Sequence, residues 1–127
     1  MRYPMLGALV AMLLPMTAHA EGDAAAGEKA FAPCKACHAF GKNGVGPDLT
    51  GVVGRKAASL DGYSYSAPLK ASGITWDEAN LHEWLKNPKA KVPGTKMIYA
   101  GLKDEKRVTD LIAYLRTFDT APVTLIK

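Results

Sequence analysis

The sequence predicts an all-α fold in which an unusually large share of the chain is loop. Three segments place apolar residues at the spacing of one helix face, and no segment shows the alternation of a convincing strand. Glycine and proline are frequent between the helices, in residues 41–54, 59–65 and 88–101. Long ordered loops need something to pack against. Because three short helices cannot bury so much backbone, the sequence favours a large apolar cofactor inside the fold.

Each of the three helices has a recognisable start. The first is predicted from Asp23 to Cys37, with Asp23 as the N-cap and Pro33 disturbing its end. The second is predicted to begin at Thr75, because residues 75–78 read T-x-x-E, a capping box, and to end at Asn87-Pro88. The third is predicted to begin near Asp104.

Apolar side chains mark the buried face of each helix. A shorter helical turn, closed by Gly73, is also predicted over residues 66–71. The residues expected to face the core are Gly27, Ala30, Phe31 and Cys34 in the first helix, Leu81, Trp84 and Leu85 in the second, and Val108, Leu111, Ile112, Leu115 and Phe118 in the third.

The first 20 residues have the layout of a secretory signal peptide. Arg2 precedes an apolar run from Met5 to Leu14, and residues 18–20 form an A-x-A cleavage pattern. The run is too short for a membrane span, which needs about 20 apolar residues. We therefore expect residues 1–20 to be removed, and residues 21–127 to form a single exported domain.

The charge of the chain is mildly basic and does not suggest a nucleic-acid partner. The formal net charge is +4, and it becomes +3 without Arg2, the one charged residue of the predicted signal. Lysines predominate over arginines, which suits a solvated surface that steers partners better than it suits bidentate phosphate recognition.

The only two cysteines lie in the sequence CKACH, residues 34–38. C-x-x-C-H is the attachment signature of c-type haem. Cys34 and Cys37, one helical turn apart, can form thioethers with the two vinyl groups on one edge of the porphyrin. His38 is then directed over the ring, where an imidazole nitrogen can bind the iron.

Three other interpretations of CKACH are weaker. A thioredoxin-like dithiol would follow a strand, and no strand is predicted before Cys34. A zinc site would need two further ligands, and His82 is the one obvious donor left in residues 21–127. A disulfide between Cys34 and Cys37 would close almost no loop and would stabilise little.

The sixth ligand of the iron decides what such a protein does. An open site permits ligand binding or peroxidase chemistry, whereas a second protein ligand restricts the iron to electron exchange. Met97 is the only methionine of residues 21–127, and it lies in a loop between helices. A methionine that fills a gap in the core would normally lie on a helix or strand. We therefore predict that Met97 is the sixth ligand.

The sequence resembles the class I, mitochondrial-type cytochromes c and their bacterial relatives. The resemblance runs from Gly27 to about Phe118. It is carried by "GEKAF", "CKACH", "GVGPDLTGVVGRK", "GYSYS", "GITW", "NPKAKVPGTKMIYAG" and "LIAYL". It implies a small fold of three main helices and long loops wrapped around one covalently bound haem c, with iron held by His38 and Met97.

The resemblance also implies roles for further residues. Cys34 and Cys37 match the attachment sites, and Pro47 matches the proline whose carbonyl accepts a hydrogen bond from the histidine ring. Gly27 and Tyr114 match the close crossing of the first and last helices. Four residues match groups that hydrogen-bond the haem propionates: Arg55, Tyr65, Trp76 and Thr95.

The sequence departs from the family pattern at several points. The loop from His38 to Pro47 is three residues shorter than in the animal proteins. Trp84 replaces a tyrosine that often bonds the methionine sulfur, and Leu69 replaces an asparagine of the same network. The tail, residues 121–127, has no clear counterpart.

The function expected from these observations is that of a monomeric periplasmic electron carrier that is not an enzyme and does not insert stably in a membrane. Its partners would be redox proteins such as a cytochrome bc-type complex, terminal oxidase, reaction centre or dehydrogenase. They would dock at a lysine-rimmed haem edge, for which the candidates are Lys35, Lys89, Lys96 and Lys103. Two alternatives stay open: a haem enzyme or ligand sensor with an open sixth position, and a dedicated subunit of one dehydrogenase or oxidase.

Overall fold

The fold is all-α, as predicted. The computed structural model describes residues 2–4, 7–11 and 22–119, so the predicted cleavage point after Ala20 and the tail 121–127 lie outside it. The helices are α1 (Ala24–Phe31), a 3₁₀ helix (Ala32–Ala36), α2 (Ala67–Ala71), α3 (Glu78–Lys86), α4 (Pro88–Lys91) and α5 (Glu105–Arg116). Within the described residues, extended pairing is limited to one isolated bridge between Lys56 and Thr75.

The caps of the first and last helices agree with the sequence. Asp23 Oδ1 accepts hydrogen bonds from the N–H groups of Ala25 and Ala26, and Asp104 Oδ1 accepts from those of Lys106 and Arg107. These bonds satisfy donors that the first turn of a helix leaves unpaired. Pro33 falls where α1 tightens into the 3₁₀ helix, so the predicted single helix from Asp23 to Cys37 is two helices in series.

The predicted start of the second helix was wrong. Asp77, not Thr75, is the N-cap of α3, and its Oδ1 accepts from the N–H of Asn80 at 2.8 Å. Thr75 is instead paired with Lys56 in the isolated bridge. Asp is also the better capping residue, because its short carboxylate reaches the free N–H groups readily.

Two smaller expectations also need correction. Residues 88–101 are not loop throughout, because Pro88 begins the short helix α4 and the Asn87 side chain caps it at the N–H of Ala90. Phe118 lies beyond the end of α5, where its ring stacks on that of Phe40 with centroids 3.5 Å apart.

No helix of the described segments is long and apolar enough to cross a bilayer. The core lies along α5, which packs against both α1 and α3. Its most deeply buried large side chains are Pro88 on α4 and, on α5, Val108, Leu111 and Ile112. The three on α5 belong to the face predicted from the helical spacing.

Helices α1 and α5 cross in direct backbone contact at Gly27. A Cβ atom at this position would lie 1.9 Å from the carbonyl oxygen of Asp110 and 2.8 Å from the Cβ of Tyr114. Both distances are far inside van der Waals contact, so only glycine permits the observed approach. The predicted contact between Gly27 and Tyr114 therefore exists.

A buried carboxylate strengthens the same crossing. Asp110, on α5, is 3 % exposed. Its Oδ1 accepts from the N–H of Asp23 at 2.8 Å, and its Oδ2 accepts from Lys106 Nζ at 2.9 Å. The Lys106 ammonium, followed by the Asp23 N–H, lowers the pKa of Asp110. Asp110 is therefore ionised at neutral pH and ties the start of α1 to α5.

We expect Gly27→Ala to reduce the free energy of unfolding by about 3 kcal/mol, the upper part of the range for overpacked sites. Guanidinium unfolding measures the loss. Gly44→Ala is the matched control, because a Cβ there would meet only the carbonyl oxygen of Cys37, at an ordinary 3.6 Å. Equal losses in the two variants would contradict the close-contact account.

Candidate functional site

One cavity of about 430 Å³ lies between the CKACH segment and the loop that carries Met97. Its volume is in the range of small-molecule and cofactor sites. Much of its wall is apolar, formed by residues such as Phe31, Val52, Leu81 and Leu111. All nine predicted site residues line it: Cys34, Cys37, His38, Pro47, Arg55, Tyr65, Trp76, Thr95 and Met97.

The 3₁₀ helix and the turn after it present Cys34, Cys37 and His38 to the cavity. The N–H groups of Cys37 and His38 both donate to the carbonyl of Cys34, at 3.1 and 2.9 Å. Cys34 and Cys37 are not joined to each other, so the alternative of a disulfide between them is not observed. Burial, and to a lesser extent the neighbouring Cys37, raises the pKa of the Cys34 thiol.

The His38 ring is held in a form that suits a metal ligand. Its Nδ1 lies 2.9 Å from the carbonyl oxygen of Pro47. Because a carbonyl only accepts, Nδ1 carries the proton, and Nε2 keeps a lone pair. Burial lowers the pKa of His38, and the bond to Pro47 opposes this in part. The neutral imidazole, which is the metal-binding form, is thereby favoured.

Gly46 was missed as a site residue, although it lines the cavity next to the predicted Pro47. A Cβ at Gly46 would lie 2.4 Å from Cε1 of His38 and 2.9 Å from its Nε2. Any side chain here would therefore displace the ring. The sequence signal was a glycine directly before the proline, in "GVGP".

Met97 lies in the same cavity as His38 and is half-buried. Its N–H donates to the Thr95 hydroxyl oxygen at 3.2 Å. This bond leaves the hydroxyl proton of Thr95 available to a group in the cavity. The loop thus presents a soft thioether sulfur and a hydrogen-bond donor close together.

Arg55 has an unsatisfied donor at the cavity wall. Its two terminal nitrogens donate to the carbonyls of Thr50 and Asp48, at 3.0 and 2.9 Å. Its Nε is buried and has no hydrogen-bond partner among the described residues. A buried N–H without an acceptor is costly. An anionic group in the cavity would supply the acceptor.

Tyr65 and Trp76 are buried at this wall, 8 % and 6 % exposed. The Tyr65 hydroxyl oxygen accepts from the N–H of Leu60 at 3.2 Å, so its proton can be donated elsewhere. The backbone N–H of Trp76 donates to the backbone carbonyl of Arg55 at 2.8 Å, which keeps these two residues together. Trp84 and Leu69, the two replaced side chains among the departures from the family pattern, also line the cavity.

The four predicted docking lysines are all exposed, but they differ in what they contact. Within the described part of the chain, no hydrogen bond or ion pair involves the ammonium of Lys35 or Lys89. Lys96 Nζ donates to the carbonyl of Ser64 at 2.9 Å. Lys103 Nζ donates to the carbonyls of Lys86 and Ala100, at 2.7 and 3.2 Å.

Comparison with known proteins identifies the family. The family model described as Cytochrome c matches residues 24–119. The chain belongs to the cytochrome c family. Residues of the CKACH segment, the proline loop and the methionine loop all lie inside the matched range.

Several relatives are similar over most of their length. Cytochrome c-554 of Methylosinus trichosporium is 60 % identical over 102 residues, which cover 78 % of this chain and 77 % of the relative. Cytochrome c2 of Blastochloris viridis is 49 % identical over 114 residues, 87 % of each chain. The solved structure of cytochrome cH from Methylobacterium extorquens matches with a TM-score of 0.74 and 67 % identity, covering 76 % of this chain and 99 % of that one.

Family membership confirms the predicted class, fold, cofactor and electron-transfer function. Cytochromes c carry covalently bound haem c with iron and transfer electrons. The cavity fits this group: its walls are largely apolar and a C-x-x-C-H segment lines it. A propionate would also give the buried Nε of Arg55 the acceptor that it lacks among the described residues.

We expect Arg55→Gln to reduce the free energy of unfolding of the haem-loaded protein by about 2 kcal/mol, since charged hydrogen bonds to Thr50 and Asp48 are lost. The reduction potential should also fall, because a positive charge at the cofactor is removed. Urea unfolding and redox titration measure the two effects. Lys56→Gln removes the same charge from an exposed neighbour and is the control. Equal effects in both variants would contradict a direct role of Arg55.

Proposed function

We propose that this chain is a periplasmic one-electron carrier whose single haem is attached through Cys34 and Cys37 and ligated by His38 and Met97. The observation that carries the proposal is that these four residues line one cavity, with the remaining five predicted site residues around them. Bound there, the haem supplies an iron that alternates between Fe(II) and Fe(III).

The protein's own residues would set the properties of that iron. Pro47 orients the His38 ring and makes its other nitrogen a better ligand. The thioether of Met97 is soft and favours Fe(II), which raises the reduction potential. Donors from Arg55, Tyr65, Trp76 and Thr95 would hold the propionates, since buried carboxylates need hydrogen-bond donors.

The proposed location rests on the N-terminal sequence. Residues 1–20 have the order of charge, apolar run and small-residue cleavage pattern that typifies a signal peptide. The working protein would then be residues 21–127, delivered to the periplasm. We propose that it acts as a monomer. We also propose that it makes or breaks no substrate bonds, because both axial positions of the iron would be filled by His38 and Met97.

We propose that redox partners dock at the mouth of the cavity. Val45 and Ile98 both line the cavity and are 76 % and 94 % exposed, so they offer apolar contact there. Lys35 and Lys89 would attract an acidic partner, which could be a bc-type complex, terminal oxidase, reaction centre or dehydrogenase. Charge steering of this kind raises association rates and weakens with salt.

We expect Met97→Ala to lower the reduction potential by on the order of 0.1 V, a fraction of the roughly 0.8 V that axial ligands span. The open position should also bind added imidazole more tightly than the wild type does. Redox titration and spectrophotometric imidazole titration measure these effects. Leu69→Ala shortens another side chain of the cavity wall and is the control. If Met97→Ala and Leu69→Ala change the reduction potential and the imidazole affinity equally, Met97 is not a ligand. A haem protein with an open sixth position then becomes the better interpretation.

A further inference from the structure

Two hydrogen bonds fix the segment at Tyr63 and Ser64 to two different loops of the cavity. The Tyr63 hydroxyl donates to the carbonyl of Val45 at 2.7 Å. Lys96 Nζ donates to the carbonyl of Ser64 at 2.9 Å. Tyr63 and Ser64 are consecutive, so the two bonds and the short segment between them form one continuous connection. We call these four residues, Val45, Tyr63, Ser64 and Lys96, the strap.

One end of the strap leads to the histidine side of the cavity. Val45 is two residues before Pro47, whose carbonyl accepts from His38 Nδ1. Between them, Gly46 is fixed by its own N–H, which donates to the carbonyl of Cys37 at 2.8 Å, and it lies directly against the His38 ring. A displacement of Val45 is therefore transmitted to the contacts that orient His38.

The other end leads to the methionine side. Lys96 directly precedes Met97 in the chain, and both residues line the cavity. The side chain of Lys96 reaches back to Ser64. This hydrogen bond anchors the methionine loop at the residue that directly precedes the proposed ligand. The strap thus connects the loop that orients His38 with the loop that carries Met97, the two proposed axial ligands.

The Tyr63 side chain is built for this role. Its ring lies against that of buried Tyr65, with centroids 4.8 Å apart in an edge-to-face arrangement. Burial raises the pKa of Tyr63, so its hydroxyl keeps the proton that it donates to Val45. Tyr63 also lines the cavity, which brings the strap next to the cofactor.

We propose that Tyr63 and Lys96 are positioning residues for the iron: the strap holds the histidine and methionine loops together and slows the release of Met97. This inference rests on the proposed function, because it requires Met97 to be a ligand. It gives Lys96 a role inside the molecule, in addition to the docking role predicted from the sequence. The links act in series, so loss of either one opens the strap.

Imidazole binding to the oxidised haem-loaded protein tests the proposal. At saturating imidazole, the observed rate is the rate at which Met97 leaves the iron. We expect Tyr63→Phe and Lys96→Ala each to increase this rate about fivefold, which corresponds to about 1 kcal/mol, the typical net value of a hydrogen bond. Lys96→Arg keeps a charged donor and should largely restore the slow rate.

The double variant distinguishes a strap from two separate contacts. Links in series predict that Tyr63→Phe combined with Lys96→Ala is also about fivefold faster than the wild type. Independent contacts predict roughly 25-fold, because free energies of uncoupled sites add. There are two matched controls, Lys42→Ala, which changes an exposed lysine of the histidine-side loop, and Tyr114→Phe, which changes a tyrosine of α5. Both should leave the rate unchanged.

The proposal is overturned if the double variant shows the product of the two single effects, or if Lys96→Ala matches Lys42→Ala. These results are distinct from failure of the proposed function. A wild type that binds imidazole as fast as Met97→Ala would show that Met97 is not a ligand. If the wild type binds imidazole slowly and Tyr63→Phe binds it at the same slow rate, only the strap proposal is overturned.

Discussion

The fold depends on a cavity that its helices enclose but do not fill. About 430 Å³ lies between the CKACH segment and the methionine loop, with apolar side chains of α1, α3 and α5 on its walls. An unfilled apolar space of this size is destabilising, because its lining loses the contacts that a packed core provides. A haem c bound in this cavity would supply those contacts, and the cofactor would then be part of the core as well as the functional group. The close crossing at Gly27 holds two of the walls in place.

The sequence predicted the helices well where local signals decide them. Asp23 and Asp104 cap α1 and α5 as expected, because a carboxylate one residue before an apolar-periodic segment acts within the same turn. The capping box at Thr75 failed because the backbone there pairs with Lys56, almost 20 residues away. Such pairing cannot be recognised from the four residues of the box.

The site residues likewise differ in whether a local sequence signal reveals them. Cys34, Cys37 and His38 are adjacent, so their spacing alone indicates the cofactor. Arg55, Tyr65, Trp76 and Thr95 required family resemblance, since one aromatic or threonine in a loop carries no functional signal by itself. The strap could not be predicted, because its bonds join residues 18 and 32 positions apart and both acceptors are backbone carbonyls, which every residue has.

The mass of the denatured protein tests the central claim most directly. The claim is that one haem, joined to Cys34 and Cys37, completes the core. We predict a single species with the mass of residues 21–127 plus one haem, unchanged by acid–acetone extraction, because thioether bonds survive unfolding. The variant with both cysteines changed to alanine should lose this added mass. A wild-type protein with the mass of the bare polypeptide would contradict the account.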